Sequence, residues 1–268
     1  MDAHDFSEAF IELRKRRPLV HHITNYVTVN DCANITMCFG AAPVMADAAE
    51  EVEEMVAMAS ALVLNIGTLN RAQIESMLMA GREANRIDVP IVLDPVGVGA
   101  TAYRTKSAQA LLDGLDVAVL KGNAGEIGVL AGTGGQVRGV DSVGISGDRR
   151  QVAQGLAERR GCCVVMSGAT DIVTDGKRTV LVDNGHEMMG RVSGTGCMAT
   201  SIVGSFVSVT KDRVVGAAAA MAAFGIVGER SAREGIGPGR FRCALFDEAA
   251  TLMPVDIRRR ARFRVARE

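Results

Sequence analysis

The chain has 268 residues, 48% of them hydrophobic, with 30 basic and 31 acidic side chains and a net charge of −1. That length fits one large α/β domain with a sizeable core better than two small ones, and the near-neutral balance excludes a global attraction to nucleic acid or to an anionic membrane surface. Glycine, at 30 of 268, exceeds its usual share of about 7%, which implies many tight turns and backbone that approaches a ligand closely.

The N-terminal stretch MDAHDFSEAFIELRKRRP is charged and amphipathic, unlike a signal peptide. The apolar stretches are broken by charge or glycine before about 18 residues, so no membrane span is expected and the cytoplasm is the default location. In chain order, 6–17 reads as a helix, and 30–40 as a helix closed by Gly40. Strand 42–45 follows, then a helix over 47–60 with Asp47 as N-cap. Strand 61–67, helix 70–86 and strand 89–99 come next, the last running into a Gly/Pro loop. A helix near 104–113 leads to strand 116–123 and to a helix from Asn123. Residues 132–148 are Gly-rich and read as a mobile loop. Residues 164–168 read as a strand, and Asp175-Gly176 between two alternating runs signals a hairpin over 171–184. Residues 195–254 read as wholly helical, and the basic tail 256–268 as a frayed terminus.

Strand–helix alternation at this spacing argues for a mostly parallel sheet flanked by helices, with ligands at the carboxyl ends of the strands. NIG, DPVG, KGNAGE and SG all fall at such ends. The stretch GRVSGTGCMATSIVGSF, residues 190–206, places Gly194, Thr195 and Gly196 before an apolar helix. Successive N–H groups at a helix N-terminus make an anion hole. No Lys follows the last glycine, so this is not a Walker loop, and no βαβ unit follows, so it is not a dinucleotide fingerprint. Cys197 in the first turn is open to several readings: redox thiol, metal ligand, buried hydrophobe or catalytic group. The helix dipole is expected to lower its pKa toward that of a general base. The six cysteines (32, 38, 162, 163, 197 and 243) form no CxxC pair or zinc spacing, and most read as reduced, buried side chains.

Asp94, at the end of IVLD, suits either Mg²⁺ or a local turn. Asn123 and Glu126 form a capping box, and Glu126 also stands where a carboxylate could approach a metal. Lys121 is placed to meet a phosphate. In PLVHHITNYVTVNDCANI, residues 18–35, several polar groups sit on an apolar wall, the mixture a small polar heterocycle requires. The adjacent His21 and His22 point different ways.

HHITNYVTVNDCANITMCFGAAPVMADAAEEVEEM, LNIGTL, IVLDPVGVGAT, LKGNAGEI, VVMSGATDIVTDG and GRVSGTGCMATSIVGSF together resemble the hydroxyethylthiazole kinase family of thiamin salvage, a branch of the ribokinase-like superfamily. The resemblance spans roughly residues 15–250, and 21–47 is its most specific part. It implies one kinase domain over 1–268 with a three-layer α/β/α fold, and a homotrimer with sites between subunits. It also implies ATP, Mg²⁺ and transfer of the γ-phosphate to the primary alcohol of 4-methyl-5-(2-hydroxyethyl)thiazole. By that resemblance Met45 and Gly194 contact the thiazole, with Asn25 and Gly67 in the same pocket. Lys121 and Ser167 contact ATP, Asp94 and Glu126 associate with Mg²⁺, and Cys197 takes the place of an Asp base. The rival readings are a pyrimidine kinase of the same superfamily and a non-catalytic metabolite-binding protein.

Overall fold

Along the strand Ala61–Asn65, Ala61 and Val63 pack on one side while Leu62 and Leu64 pack on the other, and all four are buried. A strand whose alternate faces are both apolar must lie in a sheet covered on both sides. A computed structural model, which describes residues 1–133, 136–138, 141–143 and 148–266, has that arrangement. The order along the chain begins α1 (Ala3–Arg16), β1 (Leu19–Ile23), α2 (Val29–Phe39), β2 (Ala42–Met45), α3 (Val52–Ala57), β3 (Ala61–Asn65) and α4 (Arg71–Arg86). It continues β4 (Ile91–Asp94), α5 (Ala102–Gly114), β5 (Val119–Asn123), α6 (Ala124–Ala131), β6 (Gln136–Arg138), β7 (Asp141–Val143) and α7 (Arg149–Arg160). It ends β8 (Cys163–Ser167), β9 (Asp171–Thr174), β10 (Thr179–Val182), α8 (Thr195–Val207), α9 (Arg213–Ser231), α10 (Pro238–Ala250), α11 (Pro254–Arg260) and β11 (Phe263–Ala266).

The nine-stranded sheet runs β11-β10-β9-β8-β5-β4-β3-β1-β2. Strands β2 to β8 of that order pair in parallel, and β9, β10 and β11 add antiparallel pairings at one end. β6 and β7 pair separately. One core lies between the sheet and α1, α2 and α8 to α11; the other lies between the sheet and α3 to α7. The three layers are those expected, and burying each large side chain in them contributes about 1.5–3 kcal/mol. Phe206 of α8 sits 6.1 Å from Phe10 and 6.3 Å from Phe39, ring centre to ring centre, which ties α1, α2 and α8 together. α9 is the one described helix long and apolar enough to cross a membrane, and it is buried within the fold.

The capping box at Asn123 and Glu126 and the hairpin around Asp175 form as expected. Three expectations change. Helix α3 is shorter than 47–60: it begins at Val52, and Asp47 does not cap it. The tail is not frayed. Residues 254–260 form α11 and 263–266 form an edge strand paired with β10, with the Phe263 ring 4.4 Å from Phe6. Of the stretch 132–148, residues 136–138 and 141–143 form the β6–β7 pair; the rest of the expected mobile loop lies largely outside the described residues. At the other edge of the sheet, β2 carries Pro43, and the Ala42 N–H donates inward to the Pro18 carbonyl at 2.9 Å.

Candidate active site

The parallel strands deliver their last residues to one edge of the sheet. Asn65 ends β3, Asp94 ends β4, Asn123 ends β5 and Ser167 ends β8. Asn65 is the hub. Its Nδ2 donates to Asp94 Oδ2 at 3.0 Å and to Cys197 Sγ at 3.3 Å. Its Oδ1 accepts from Asn25 Nδ2 and from the Gly67 N–H, each at 2.9 Å. Asn25 Nδ2 also reaches Cys197 Sγ at 3.4 Å, and Asn25 Oδ1 accepts from Thr28 Oγ1 at 3.0 Å. Thr200, three residues beyond Cys197 on α8, donates to Asp94 Oδ2 at 2.6 Å. One network thus joins the thiol, a buried carboxylate and the buried amides of Asn25 and Asn65.

Gly194 starts α8 in the left-handed region, φ +92°, and a Cβ there would lie 2.5 Å from Thr28 Cγ2. Only glycine meets both demands. No side chain caps this end of α8, which leaves its first N–H groups for an anion. The buried Lys121 donates from Nζ to the Gly196 carbonyl at 2.8 Å, so a cation lies beneath the same turn.

Burial raises the Asp94 pKa, opposed by Lys121, Thr200 and Asn65. Burial, and then the Asp94 charge, raises that of Glu126. Glu126 Oε1 accepts from the Gly97 N–H and its Oε2 from the Asn123 N–H, each at 2.8 Å, so the box both caps α6 and holds the carboxylate at the site. The expected lowering of the Cys197 pKa does not occur. Burial raises it and the Asp94 charge adds to that; Lys121 and the contacts of Thr28 and Asn65 only partly offset them. Desolvation, then a neighbouring carboxylate, set the direction at this helix start.

A cleft of about 510 Å³ adjoins α8 and is lined by Lys121, Ser167, Asp171, Thr195, Gly196 and Phe224 among others. Within it, burial pushes the Asp171 carboxyl up to about 7, and Asp171 Oδ1 accepts from the Gly168 N–H at 2.9 Å. Met45 ends β2 opposite His22 and stands apart from the hydrogen-bonded network. Its neighbour is held by His21, whose Nε2 lies 2.7 Å from the Ala46 carbonyl. His22 Nδ1 lies 3.0 Å from the Val20 carbonyl, and burial pushes His22 down to about 4. Among the described residues no three His, Cys, Asp or Glu side chains cluster as metal ligands. A larger groove of about 1060 Å³ lies at the opposite, amino-terminal edge of the strands and contains none of these residues.

The structure therefore brings together Asn25, Gly67, Asp94, Gly194 and Cys197, with Lys121, Thr195, Gly196 and Ser167 beside them. Sequence reasoning missed Asn65, Thr200 and Asp171. The i, i+3 spacing of Thr200 from Cys197 on a helix was the available signal for one of them. The family model for the hydroxyethylthiazole kinase family matches residues 10–254. The chain belongs to the hydroxyethylthiazole kinase family.

Relatives in this family match along nearly the whole chain. A hydroxyethylthiazole kinase of Methanocella arvoryzae is 60% identical over 99% of this chain and 100% of its own length. One from Methanoculleus marisnigri is 63% identical over 93% of this chain and 90% of its own. The solved structure of the hydroxyethylthiazole kinase of Pyrococcus horikoshii OT3 superposes with a TM-score of 0.90 at 42% identity, covering 98% of this chain and 99% of that one. Pyridoxal kinase from Staphylococcus aureus, in complex with AMP-PCP, superposes at 0.63 with 15% identity over 92% and 97% of the two chains, a likeness of fold alone.

Proposed function

We propose that the protein transfers the γ-phosphoryl group of ATP to the primary alcohol of 4-methyl-5-(2-hydroxyethyl)thiazole, in the cytoplasm, as a step of thiamin salvage. The observation that supports this reading is the network through Asn65, which joins Asn25 and Gly67, the residues expected to meet the thiazole, to Cys197 at the uncapped start of α8. ATP occupies the cleft beside Lys121 and Ser167. The alcohol oxygen forms its bond to the γ-phosphorus as the bond to the β,γ-bridging oxygen breaks, and ADP leaves. Phosphoryl transfer of this kind is governed by positioning and charge stabilisation. The N–H groups of Gly194, Thr195, Gly196 and Cys197 hold the transferring group, and Cys197 Sγ accepts the alcohol proton late in the step.

The residues present fit Mg²⁺. Two carboxylates raised by burial, with the Asp94 charge adding to the rise at Glu126, are relieved by a divalent cation, and Mg²⁺ takes one or two carboxylates with water and phosphate oxygens completing its shell. Asp94 and Glu126 would hold it, and when bound it neutralises charge on the nucleotide phosphates. A homotrimer with shared sites accords with the exposed Tyr26 and Val27, next to Asn25 in the chain, and with the exposed Met37 near the end of α2, a helix whose Ile35 and Phe39 already serve the core.

The test is an ATP-consumption assay over a panel of alcohols. The thiazole alcohol is expected to give the highest kcat/KM. An equal or greater value for hydroxymethylpyrimidine overturns the substrate assignment.

A further inference from the structure

Arg104 lies in the first turn of α5, its N–H held by the Thr101 cap at 3.2 Å. Its Nη1 donates to the carbonyls of Ile66 at 2.9 Å and Val96 at 2.8 Å, and its Nη2 donates to the Gly67 carbonyl at 2.8 Å. One planar fork thus spans two loops: the one after β3 and the one after β4. Gly97 makes room for the stem. It has φ +74°, and a Cβ there would lie 3.2 Å from Arg104 Cδ.

Each loop delivers a backbone N–H to a different half of the site. The Gly67 N–H bonds Asn65 Oδ1, on the side proposed above for the acceptor. The Gly97 N–H bonds Glu126 Oε1, on the carboxylate side. The contacts of Arg104 are carbonyls, which makes it a tether for backbone. A guanidinium can reach three such oxygens at once because its donors are fixed in a plane; an ammonium is a point donor on a flexible stem.

We infer that Arg104 is a positioning residue that fixes the acceptor pocket at its working distance from Asp94 and Glu126, acting through its span across the two loops rather than through its charge. The inference rests on the kinase reading above. A displacement of about 1 Å between reacting groups costs on the order of 10²-fold in rate, and holding two loops in one fork prevents a displacement of that size.

Arg104→Lys and Arg104→Gln in the full chain test this, with four readings: affinity for magnesium-free ADP and for the thiazole alcohol alone by calorimetry, kcat, and the magnesium concentration at half-maximal rate. Both variants should bind magnesium-free ADP as the parent does, because Ile66, Gly67 and Val96 lie outside the nucleotide cleft. Both should bind the alcohol more weakly and need more magnesium, and kcat should fall on the order of 10²-fold. The Lys variant should do no better than Gln. Parental behaviour of Arg104→Lys overturns the inference, because charge would then suffice. So does loss of ADP affinity in step with activity, which marks general unfolding, or unchanged alcohol affinity in both variants. If the parent prefers another alcohol, the substrate assignment falls alone, and the same comparison made with that alcohol still tests the tether.

Discussion

A thiol buried against a carboxylate is a weak acid, and that defines what Cys197 can do. Its pKa is raised above the ordinary 9.0, chiefly by burial, so it is protonated at neutral pH and each unit of rising pH increases its thiolate fraction about tenfold. The parent kcat should therefore climb between about pH 7 and 9. Cys197→Ser should lower kcat on the order of 10²-fold with the KM for ATP unchanged. Cys197→Asp, a stronger acid than a thiol in the same surroundings, should keep or raise kcat and flatten the pH profile. Steady-state kinetics of the three proteins check this; unchanged turnover in both variants with a flat parental profile removes the base role. The sequence displayed the anion-binding turn and the thiol after it, because both are local. It did not display the direction of the pKa shift, which depends on Asp94, 103 positions away and brought near only by the parallel sheet. Asn65 was hidden for the same reason: an amide at a strand end has no local signature, and its importance comes from Asn25, Asp94 and Cys197 on three other segments.

At the scale of elements, the site depends on how the start of α2 meets the start of α8. Thr28 precedes α2, and its Cγ2 occupies the space where a side chain at position 194 would begin. Gly194→Ala should sharply reduce turnover, since it adds both a clash and a left-handed backbone strain on the order of 1 kcal/mol. Adding Thr28→Ser removes the clashing methyl while keeping the hydroxyl that donates to Asn25, so the double variant should recover part of the loss. A kcat/KM cycle over the four proteins measures the coupling; strict additivity rules out this contact as the cause. Elements with strong local rules were legible: the box at Asn123, the turn at Asp175 and the period of the buried strands. The helix after Asp47 was misjudged because a good capping residue was present without the chain turning helical there. The tail departs from the expected frayed terminus because several of its charges, among them Arg262 and Arg264, find partners at long range. Arg262 pairs with Glu229 at 2.7 Å and Arg264 with Asp183 at 2.7 Å.

Over the whole molecule, Asp171 links folding to pH. Its pKa is raised from 3.8 to about 7, so between those values the folded chain binds more protons than the unfolded one. Its contribution to stability is full below about pH 4 and is lost as pH rises through about 7. Asp171→Asn keeps an oxygen for the Gly168 N–H and cannot ionise, so it should flatten the pH dependence of stability over that window and leave the variant the more stable of the two above pH 7. Denaturant unfolding at pH 5 and pH 8 checks this. A parental decline that persists undiminished in the variant would assign the effect elsewhere.

The open edge of β2 bears on how these molecules meet one another. Because the Ala42 N–H points inward to the neighbouring strand, strand alternation turns position 43 outward, and Pro43 offers no donor there. The far edge, β11, presents Arg264. Neither border is a good template for adding a strand from another copy. A nine-stranded sheet with both faces covered is thereby kept from growing into a fibre, and any assembly of this chain is left to side chains meeting side chains.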